Sequence, residues 1–210
     1  MSRLSIKVCG PEGQHSKPNR YEPNNVSLAS FIIMSSPVKI LPHYTYADYV
    51  QWEGQWELID GIPYAMSPSP VPKHQRIAGN MLSEFRVQLK NCKKCAVYQP
   101  VDYRVANDTI LQPDMLIVCG VITKNYLDFA PALVAEILSP ATALKDRHTK
   151  YSIYESQGIP YYIIIAPDTE EVEVYILQNG TYLLSAKGRD IKHEFNIEDC
   201  NAVIDFKEIW

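Results

Sequence analysis

Two acidic residues lie where apolar β-strands are expected, and they are the first candidates for chemistry. Asp114 follows Pro113 near the start of the apolar stretch 111–119, and Glu136 lies inside the apolar stretch 132–138. A carboxylate buried in such a strand is costly unless it meets a partner, a metal ion or solvent. If the two strands are neighbours in one sheet, both carboxylates lie at one point, where their hard oxygens suit Mg²⁺ or Mn²⁺.

A lysine from the following predicted helix completes this set. Asp146, Lys150 and Tyr154 are spaced by four residues and therefore share one helix stripe. From that stripe Lys150 could orient the attacking water or contact a scissile phosphate, and stabilise the negative charge that develops there. The alternative is an ordinary ion pair between Lys150 and Asp146, which stabilises a helix by only about 0.2–0.5 kcal/mol.

Two further residues are weaker candidates. Glu57 is flanked by apolar residues in a strand-like stretch, and alternation places it on the same face as Ile59. Asp60 precedes a glycine and is interpreted as a turn residue. His74 lies at the start of a predicted helix, where a local hydrogen-bonding role is more common than catalysis.

The five cysteines favour neither a zinc site nor a disulfide framework. Cys92 and Cys95 have CxxC spacing, but the sequence has no second CxxC or HxxxH to complete a zinc site. A redox CxxC is expected at a helix start after a strand, whereas this one follows a predicted helix. We therefore interpret the spacing as incidental. Motifs of P-loop NTPases, Rossmann dehydrogenases, α/β-hydrolases and zincins are absent from the sequence.

Composition indicates an ordinary globular protein. The 210 residues are 46% apolar and 21% charged, and the longest apolar runs are far shorter than the roughly 20 residues of a membrane span. No signal peptide is recognisable at the start, so the cytoplasm is the expected location. The net charge of −4 is not that of a dedicated nucleic-acid binder. Positive charge is concentrated in residues 73–94 and 145–150, and any polyanion is expected to bind there.

The order of predicted elements indicates an α/β fold with a mixed central β-sheet flanked by helices. Residues 1–33 are interpreted as a poorly ordered N-terminal extension, with Met34 as a plausible native start and residues 34–210 as a single domain. Regular elements then follow in the order helix, hairpin, helix, three strands, helix, strand and hairpin. Their predicted bounds are a short helix 45–52, a hairpin 56–66 with an Asp-Gly turn, a stiff connector 67–72, a long helix from about 74 to 89, strands 96–105, 111–119 and 132–138, a helix 143–157, a strand 161–165 and a hairpin 171–185.

Seven short motifs occur in one order that is fairly specific. They are Trp56-Glu57-Leu58-Ile59-Asp60-Gly61, Met66-Ser67-Pro68-Ser69-Pro70 with His74, Gln112-Pro113-Asp114, Val134-Ala135-Glu136-Ile137-Leu138-Ser139-Pro140, Asp146 with Lys150 and Tyr154, Gly158-Ile159-Pro160-Tyr161-Tyr162, and Ala166-Pro167. With these motifs the chain resembles the Uma-type family of restriction-endonuclease-like proteins, a branch of the PD-(D/E)XK nuclease superfamily. The resemblance covers most of the sequence after Met34.

This resemblance implies a restriction-endonuclease-like fold and metal-dependent hydrolysis of DNA phosphodiester bonds. Asp114 and Glu136, with Glu57, would bind Mg²⁺ or Mn²⁺, and Lys150 would be the family's lysine. The sequence departs from the superfamily pattern at Leu138, because the usual lysine lies two residues after the second acid. If Lys150 substitutes for that lysine from the helix, the site is complete.

Two functional hypotheses follow. The first is a Mg²⁺-dependent endodeoxyribonuclease that uses Glu57, Asp114, Glu136 and Lys150, with DNA as its partner, no membrane association and a possible homodimer across one duplex. The second is a non-catalytic, nuclease-derived protein that binds nucleic acid or another partner, suggested by Leu138 and the acidic balance. A hydrolase of another phosphate compound is a weaker third reading. Convergence of Asp114, Glu136 and Lys150 within a few ångströms would favour the enzyme.

Overall fold

The computed structural model of the chain describes residues 41–66 and 71–210. The predictions for the extension 1–33 and for Met34, and most of the predicted connector 67–72, lie outside the described residues. The helices are α1 Tyr46–Tyr49, α2 Pro72–Gln88, a π-helical turn Lys145–Lys150, α3 Tyr151–Ser156 and a 3₁₀ helix Phe206–Ile209. The strands are β1 Trp56–Ile59, β2 Ile62–Ala65, β3 Cys95–Tyr98, β4 Tyr103–Ala106, β5 Thr109–Leu111, β6 Met115–Cys119, β7 Leu133–Ile137, β8 Tyr161–Ala166, β9 Glu171–Gln178, β10 Thr181–Gly188, β11 Lys192–Ile197 and β12 Cys200–Asp205.

A six-stranded mixed sheet forms the centre of the molecule, in the order β10-β9-β8-β7-β6-β3. Strands β7 and β8 are parallel, and the other neighbours are antiparallel. Every residue of β7 is buried, as are the first four residues of β6 and the first five of β8, which explains their continuous apolar sequences. The predicted α/β fold with a mixed central sheet is confirmed.

Helix α2 covers one face of this sheet. Its buried side chains recur at helical spacing and include Ile77, Met81 and Phe85, and Leu89 at its C-cap is also buried. Burial of each such side chain stabilises the fold by about 1.5–3 kcal/mol. Proline at the first helical position suits the helix start, because its missing N–H has no partner there anyway. No helix in the described part of the chain is long and apolar enough to cross a membrane.

A second sheet of four strands, in the order β2-β1-β5-β4, carries Glu57. Its β1–β2 hairpin turns at Asp60 and Gly61, whose φ angles are 49° and 74°. Two successive positive φ angles suit a tight hairpin turn, and Gly61 accepts such an angle without strain. The predicted Asp-Gly hairpin is confirmed. Helix α1 precedes it, and the Thr45 N–H at the start of that helix donates a hydrogen bond of 2.8 Å to the Asp48 carboxylate.

Two strands were predicted too long. The expected strand 96–105 is in fact β3 and β4, which belong to different sheets, and Pro100 lies between them. The expected strand 111–119 is likewise divided into β5 and β6 by Gln112, Pro113 and Asp114. Proline has no N–H to donate to a sheet ladder, so both breaks occur where the pairing would fail.

The predicted helix 143–157 and the chain end differ from expectation in part. The helix begins at Ala143 as predicted, contains the π-helical turn Lys145–Lys150, and continues as α3 before it ends at Gly158, with φ of 72°. The elements predicted from the sequence end at residue 185. In the structure the segment after β10 forms an antiparallel β11–β12 hairpin followed by the 3₁₀ helix. Buried Phe195 and Phe206 attach this segment to the core beneath α2.

Two disulfide bonds link cysteines that are distant in sequence. Cys92 is bonded to Cys200, and Cys95 to Cys119. The second pair follows from the sheet register, because Cys95 lies directly opposite Cys119 in the β3–β6 pair. The prediction that the cysteines form no disulfide framework is therefore wrong for these residues. Cys92 and Cys95 bond to different partners rather than to each other, and the interpretation of their CxxC spacing as incidental stays a prediction. Disulfides persist mainly in oxidising compartments, and the cytoplasmic location stays a prediction.

Candidate active site

Asp114 and Glu136 meet because strands β6 and β7 are neighbours. Met115 pairs with Ala135 in this antiparallel register, so the next step along each strand places Asp114 opposite Glu136. The Asp114 Oδ2 atom accepts a hydrogen bond of 2.7 Å from the backbone N–H of Ile137. Both carboxylates line a cleft of about 570 Å³. The two strands are therefore neighbours in one sheet, as the predicted meeting of Asp114 and Glu136 requires.

Glu57 reaches the same place from the second sheet. Its side chain is buried, and its Oε1 accepts a hydrogen bond of 2.9 Å from the backbone N–H of Gln112. That amide lies in the short segment between β5 and β6, just before Asp114. The break that divides the predicted strand 111–119 therefore positions both Glu57 and Asp114.

Lys150 connects the acids that come from separate elements. Its Nζ atom lies 2.6 Å from Glu57 Oε1, 2.9 Å from Glu136 Oε1 and 3.5 Å from Asp146 Oδ1, and its side chain is only 2% exposed. The alternative ion pair between Lys150 and Asp146 is also present, but it is buried and longer than the contacts of Lys150 with Glu57 and Glu136. A lysine from the helix thus lies beside the acids although residue 138 is leucine.

The helix stripe predicted around Lys150 also faces inwards. The Tyr154 hydroxyl donates a hydrogen bond of 2.7 Å to Glu136 Oε1, the same oxygen that Lys150 contacts. Asp146 is buried, and its Oδ1 has no hydrogen-bond partner among the described residues. The Tyr162 hydroxyl donates to the backbone carbonyl of Asp146, which fixes this end of the helix against β8.

The pKa values of the buried acids are shifted in opposite directions. Burial by itself raises the pKa of Glu57, but the ammonium groups of Lys150 and Lys145 outweigh burial and lower that pKa below its ordinary value. Burial raises the pKa of Glu136 well above its ordinary value, against the opposing effect of Lys150, and it raises the pKa of Asp146 in the same way. The lowered pKa favours the ionised form of Glu57, whereas the raised pKa values favour the neutral forms of Glu136 and Asp146.

His74 has a more specific position than its sequence context indicates. Its Nε2 lies 3.2 Å from Asp114 Oδ2, across 40 positions of sequence, so its partner is not local. Burial lowers the pKa of His74, but the hydrogen bond and charge of Asp114 raise it above the ordinary value overall. Two contacts, from His74 and from the Ile137 amide, thus orient Asp114.

Sequence reasoning missed Lys145 as a site residue and treated Asp146 only as a helix-surface partner. Lys145 forms an ion pair with Glu57 Oε2, and both Lys145 and Asp146 line the cleft. Asp146 offered a signal, since it shares the helix stripe of Lys150 and Tyr154. Lys145 offered none, because its approach depends on the π-helical turn.

The side chains suit a divalent cation in chemistry and charge. Glu57, Asp114, Glu136 and Asp146 offer hard oxygen ligands, and these four carboxylates outnumber the two ammonium groups of Lys145 and Lys150 even if His74 is also counted as a cation. Asp146 Oδ1 accepts no hydrogen bond from the described residues, and its distance of 3.5 Å from Lys150 Nζ is the longest of the three ion pairs of that lysine. Within residues 41–66 and 71–210, however, no three acidic, histidine or cysteine side chains are arranged to hold an ion as they stand.

A second ion-pair cluster anchors the π-helical turn to the central sheet. Glu173 of β9 is buried and accepts hydrogen bonds from Arg147 at 2.7 Å, Tyr175 at 2.8 Å and Lys187 at 3.0 Å. Burial raises the pKa of Glu173, but the hydrogen bonds from Arg147, Tyr175 and Lys187 lower it below the ordinary value overall. This cluster holds the segment that carries Lys145 and Lys150.

We expect Glu173→Gln to lower the free energy of unfolding by about 1–3 kcal/mol at neutral pH, because it weakens three hydrogen bonds to a buried carboxylate. A carboxyl with a lowered pKa contributes stability above its unfolded pKa, near 4.5, and loses it as the pH falls. The difference between wild type and variant should therefore shrink below about pH 4.5. Urea denaturation at several pH values measures it, and a difference that does not change with pH would contradict this role.

The chain matches a known protein family over the region that contains this site. Residues 46–194, well over half of the chain, match the model of the Uma2 family, described as "Putative restriction endonuclease". The chain belongs to the Uma2 family. The matched region contains all four predicted site residues, Glu57, Asp114, Glu136 and Lys150.

The chain is also similar to two individual proteins. The chain is 25% identical over 153 residues to the uncharacterized protein slr1290 of Synechocystis sp., covering 69% of this chain and 80% of that protein. It is also similar to the crystal structure of a protein from Anabaena variabilis, described as a "putative nuclease belonging to DUF820". That similarity has a TM-score of 0.65 at 19% identity and covers 79% of this chain and 97% of the other. At this identity the match shows a shared fold, and the resemblance predicted from the seven motifs is confirmed.

Proposed function

We propose that this Uma2 protein is an endonuclease that hydrolyses DNA phosphodiester bonds with Mg²⁺ or Mn²⁺. The observation that carries the proposal is the convergence of Asp114, Glu136 and Lys150 on one cleft, with buried Glu57 2.6 Å from the Lys150 ammonium. Such convergence of buried acids is costly to the fold, and active sites are where such costs are usually found. Family membership supports the nuclease class.

In this proposal the side chains have distinct roles. Asp114 and Glu136, with Glu57 as a further ligand or as a base, would hold the divalent cation, which supplies charge neutralisation and activation of water when bound. His74 and the Ile137 amide keep Asp114 oriented, and Tyr154 does the same for Glu136. The Lys150 ammonium orders the acids and places positive charge beside the developing negative charge on the phosphate.

The second candidate is a nuclease-derived binding protein without turnover. It is favoured by one observation, that three carboxylates surround the Lys150 ammonium so completely that it is buried from solvent. The enzyme is supported instead by the position of Lys150, 2.9 Å from Glu136 Oε1, with Asp114 opposite Glu136 in the β6–β7 register. Among the described residues Lys150 forms no ion pair with Asp114, so the convergence of these three residues is met only in part. Pairing of two copies across one duplex stays a prediction.

Cleavage of supercoiled plasmid tests the proposal. With Mg²⁺ or Mn²⁺ the wild type is expected to nick or linearise the plasmid, and chelation or the substitution Asp114→Asn is expected to reduce the rate at least about a hundredfold. Asp199→Asn is the matched control, because Asp199 pairs with Lys94 on an exposed surface. If wild-type protein preparations cleave neither plasmid nor a random oligonucleotide pool, the binding protein is the better account. Equal activity of Asp114→Asn would contradict the site.

A further inference from the structure

The two lysines of the site differ in what surrounds them. Lys150 is enclosed by Glu57, Glu136 and Asp146. Lys145 has one acidic partner, Glu57, and its side chain is 14% exposed and lines the cleft. The Lys145 ammonium also lies 5.3 Å from the ring centre of Tyr64, which is partly exposed on the same cleft. Lys145 is therefore the more accessible of the two ammonium groups.

Lys145 can leave its acid at a lower cost than Lys150 can. If Lys145 turned away, Glu57 Oε1 would keep the Lys150 ammonium at 2.6 Å and the Gln112 amide at 2.9 Å, and Glu57 Oε2 would lose its hydrogen bond from Lys145. If Lys150 turned away, three buried carboxylates would lose their shared cation, which is strongly unfavourable.

Local backbone geometry explains why Lys145 faces the cleft. In a regular α-helix, residues five apart point about 140° away from each other. The segment Lys145–Lys150 is a π-helical turn, in which residues five apart are joined by the backbone hydrogen bond and lie on one side. Both lysines consequently contact Glu57. Such turns are uncommon and are frequent at functional sites.

The third lysine that lines the cleft, Lys73, is less suited to contact a substrate near the acids. Lys73 donates a hydrogen bond of 2.7 Å to the backbone carbonyl of Pro167 and lies 3.5 Å from Glu170, a residue outside the cleft lining. Its ammonium is therefore directed towards the segment after β8. Lys145 is the lysine that is both accessible in the cleft and adjacent to Glu57.

We propose that Lys145 binds the substrate: its ammonium exchanges the Glu57 carboxylate for a phosphate oxygen of the nucleic-acid strand. This inference rests on the proposed function and adds a substrate-binding residue to it. The exchange moves no bond or proton, since one anionic partner replaces another. Lys145 thus supplies the phosphate contact, while Lys150 stays with the acids.

Binding of a labelled oligonucleotide duplex, followed by fluorescence anisotropy with Ca²⁺ over a series of salt concentrations, tests this assignment. We expect Lys145→Gln to weaken binding by about tenfold. The negative slope of log affinity against log salt should become less steep by about 0.7–0.9, the contribution of one phosphate contact. Lys145→Arg should stay close to wild type. Lys192→Gln is the matched control, because Lys192 also pairs with one acid, Asp205, but lies outside the two basic regions and does not line the cleft. Thermal unfolding checks that each variant is folded.

The outcomes separate the two proposals. Wild-type affinity and slope in a folded Lys145→Gln variant would overturn the role of Lys145 and leave the nuclease proposal standing if plasmid is cleaved. Equal loss in Lys192→Gln would also overturn it, because the effect would then be one of overall charge. If wild type neither binds the duplex nor cleaves plasmid, the proposed function fails and the assignment of Lys145 fails with it.

Discussion

Replacing Lys150 by methionine is expected to lower the free energy of unfolding by about 3–5 kcal/mol. Methionine retains the length of the side chain but removes the charge that Glu57, Glu136 and Asp146 share. Removing one partner of a buried ionic network costs more than the network contributes, because the remaining charges stay buried without compensation. Urea denaturation followed by circular dichroism measures the loss.

Lys94→Met provides the comparison for this experiment. Lys94 pairs with Asp199, but its side chain is 67% exposed, so water compensates for its removal. We expect no comparable loss of stability in that variant. A Lys150→Met protein as stable as Lys94→Met would show that Lys150 is not the shared cation of the buried acids. If Lys150→Met does not accumulate as folded protein, Lys150→Arg, which keeps the charge, should restore at least part of the stability.

Glu136→Gln is expected to separate activity from stability. Glutamine keeps an oxygen that accepts from Tyr154 and Lys150, and it removes one negative charge from a cluster that has too many. Because burial already raises the pKa of Glu136 well above its ordinary value, a neutral side chain fits this position. We expect unchanged or increased stability, measured by urea denaturation, together with at least about a hundredfold lower plasmid cleavage.

The control for Glu136→Gln is Glu194→Gln, at an exposed position of β11 outside the cleft. It changes the net charge by the same amount and should leave cleavage unchanged. Loss of both stability and cleavage in Glu136→Gln would mean that Glu136 serves only the fold. Full cleavage by a folded Glu136→Gln protein would remove Glu136 from the reaction.

The two acids could be identified as site candidates from the sequence because burying a carboxylate in an apolar strand is costly. An acid inside the apolar stretch 132–138 requires a partner wherever the strand is buried, and β7 is buried along its whole length. Asp114 was recognisable beside Pro113, although this proline ends one strand rather than lying inside a longer one. Whether the two acids meet depended on the pairing of β6 with β7, which local patterns do not determine.

The remaining features depend on contacts between distant residues. Cys95 and Cys119 are bonded because β3 pairs with β6 in one register, and a register between distant strands is not readable from either strand alone. Lys145 faces the cleft because the helix contains a π-helical turn at Lys145–Lys150, whereas residue spacing was read with the α-helical period. His74 meets Asp114 because α2 crosses the sheet at that strand end, which is a property of the packing.

Binding of Mn²⁺ measured by isothermal titration calorimetry is the most direct test of the proposed metal site. The wild type is expected to bind the ion, and the double variant Asp114→Asn with Glu136→Gln is expected to lose that binding while it remains folded by circular dichroism. The same titration of Asp199→Asn should match wild type, because Asp199 lies on an exposed surface. Unchanged Mn²⁺ binding in the double variant, or no binding by the wild type, would contradict the proposal that these carboxylates hold a divalent cation.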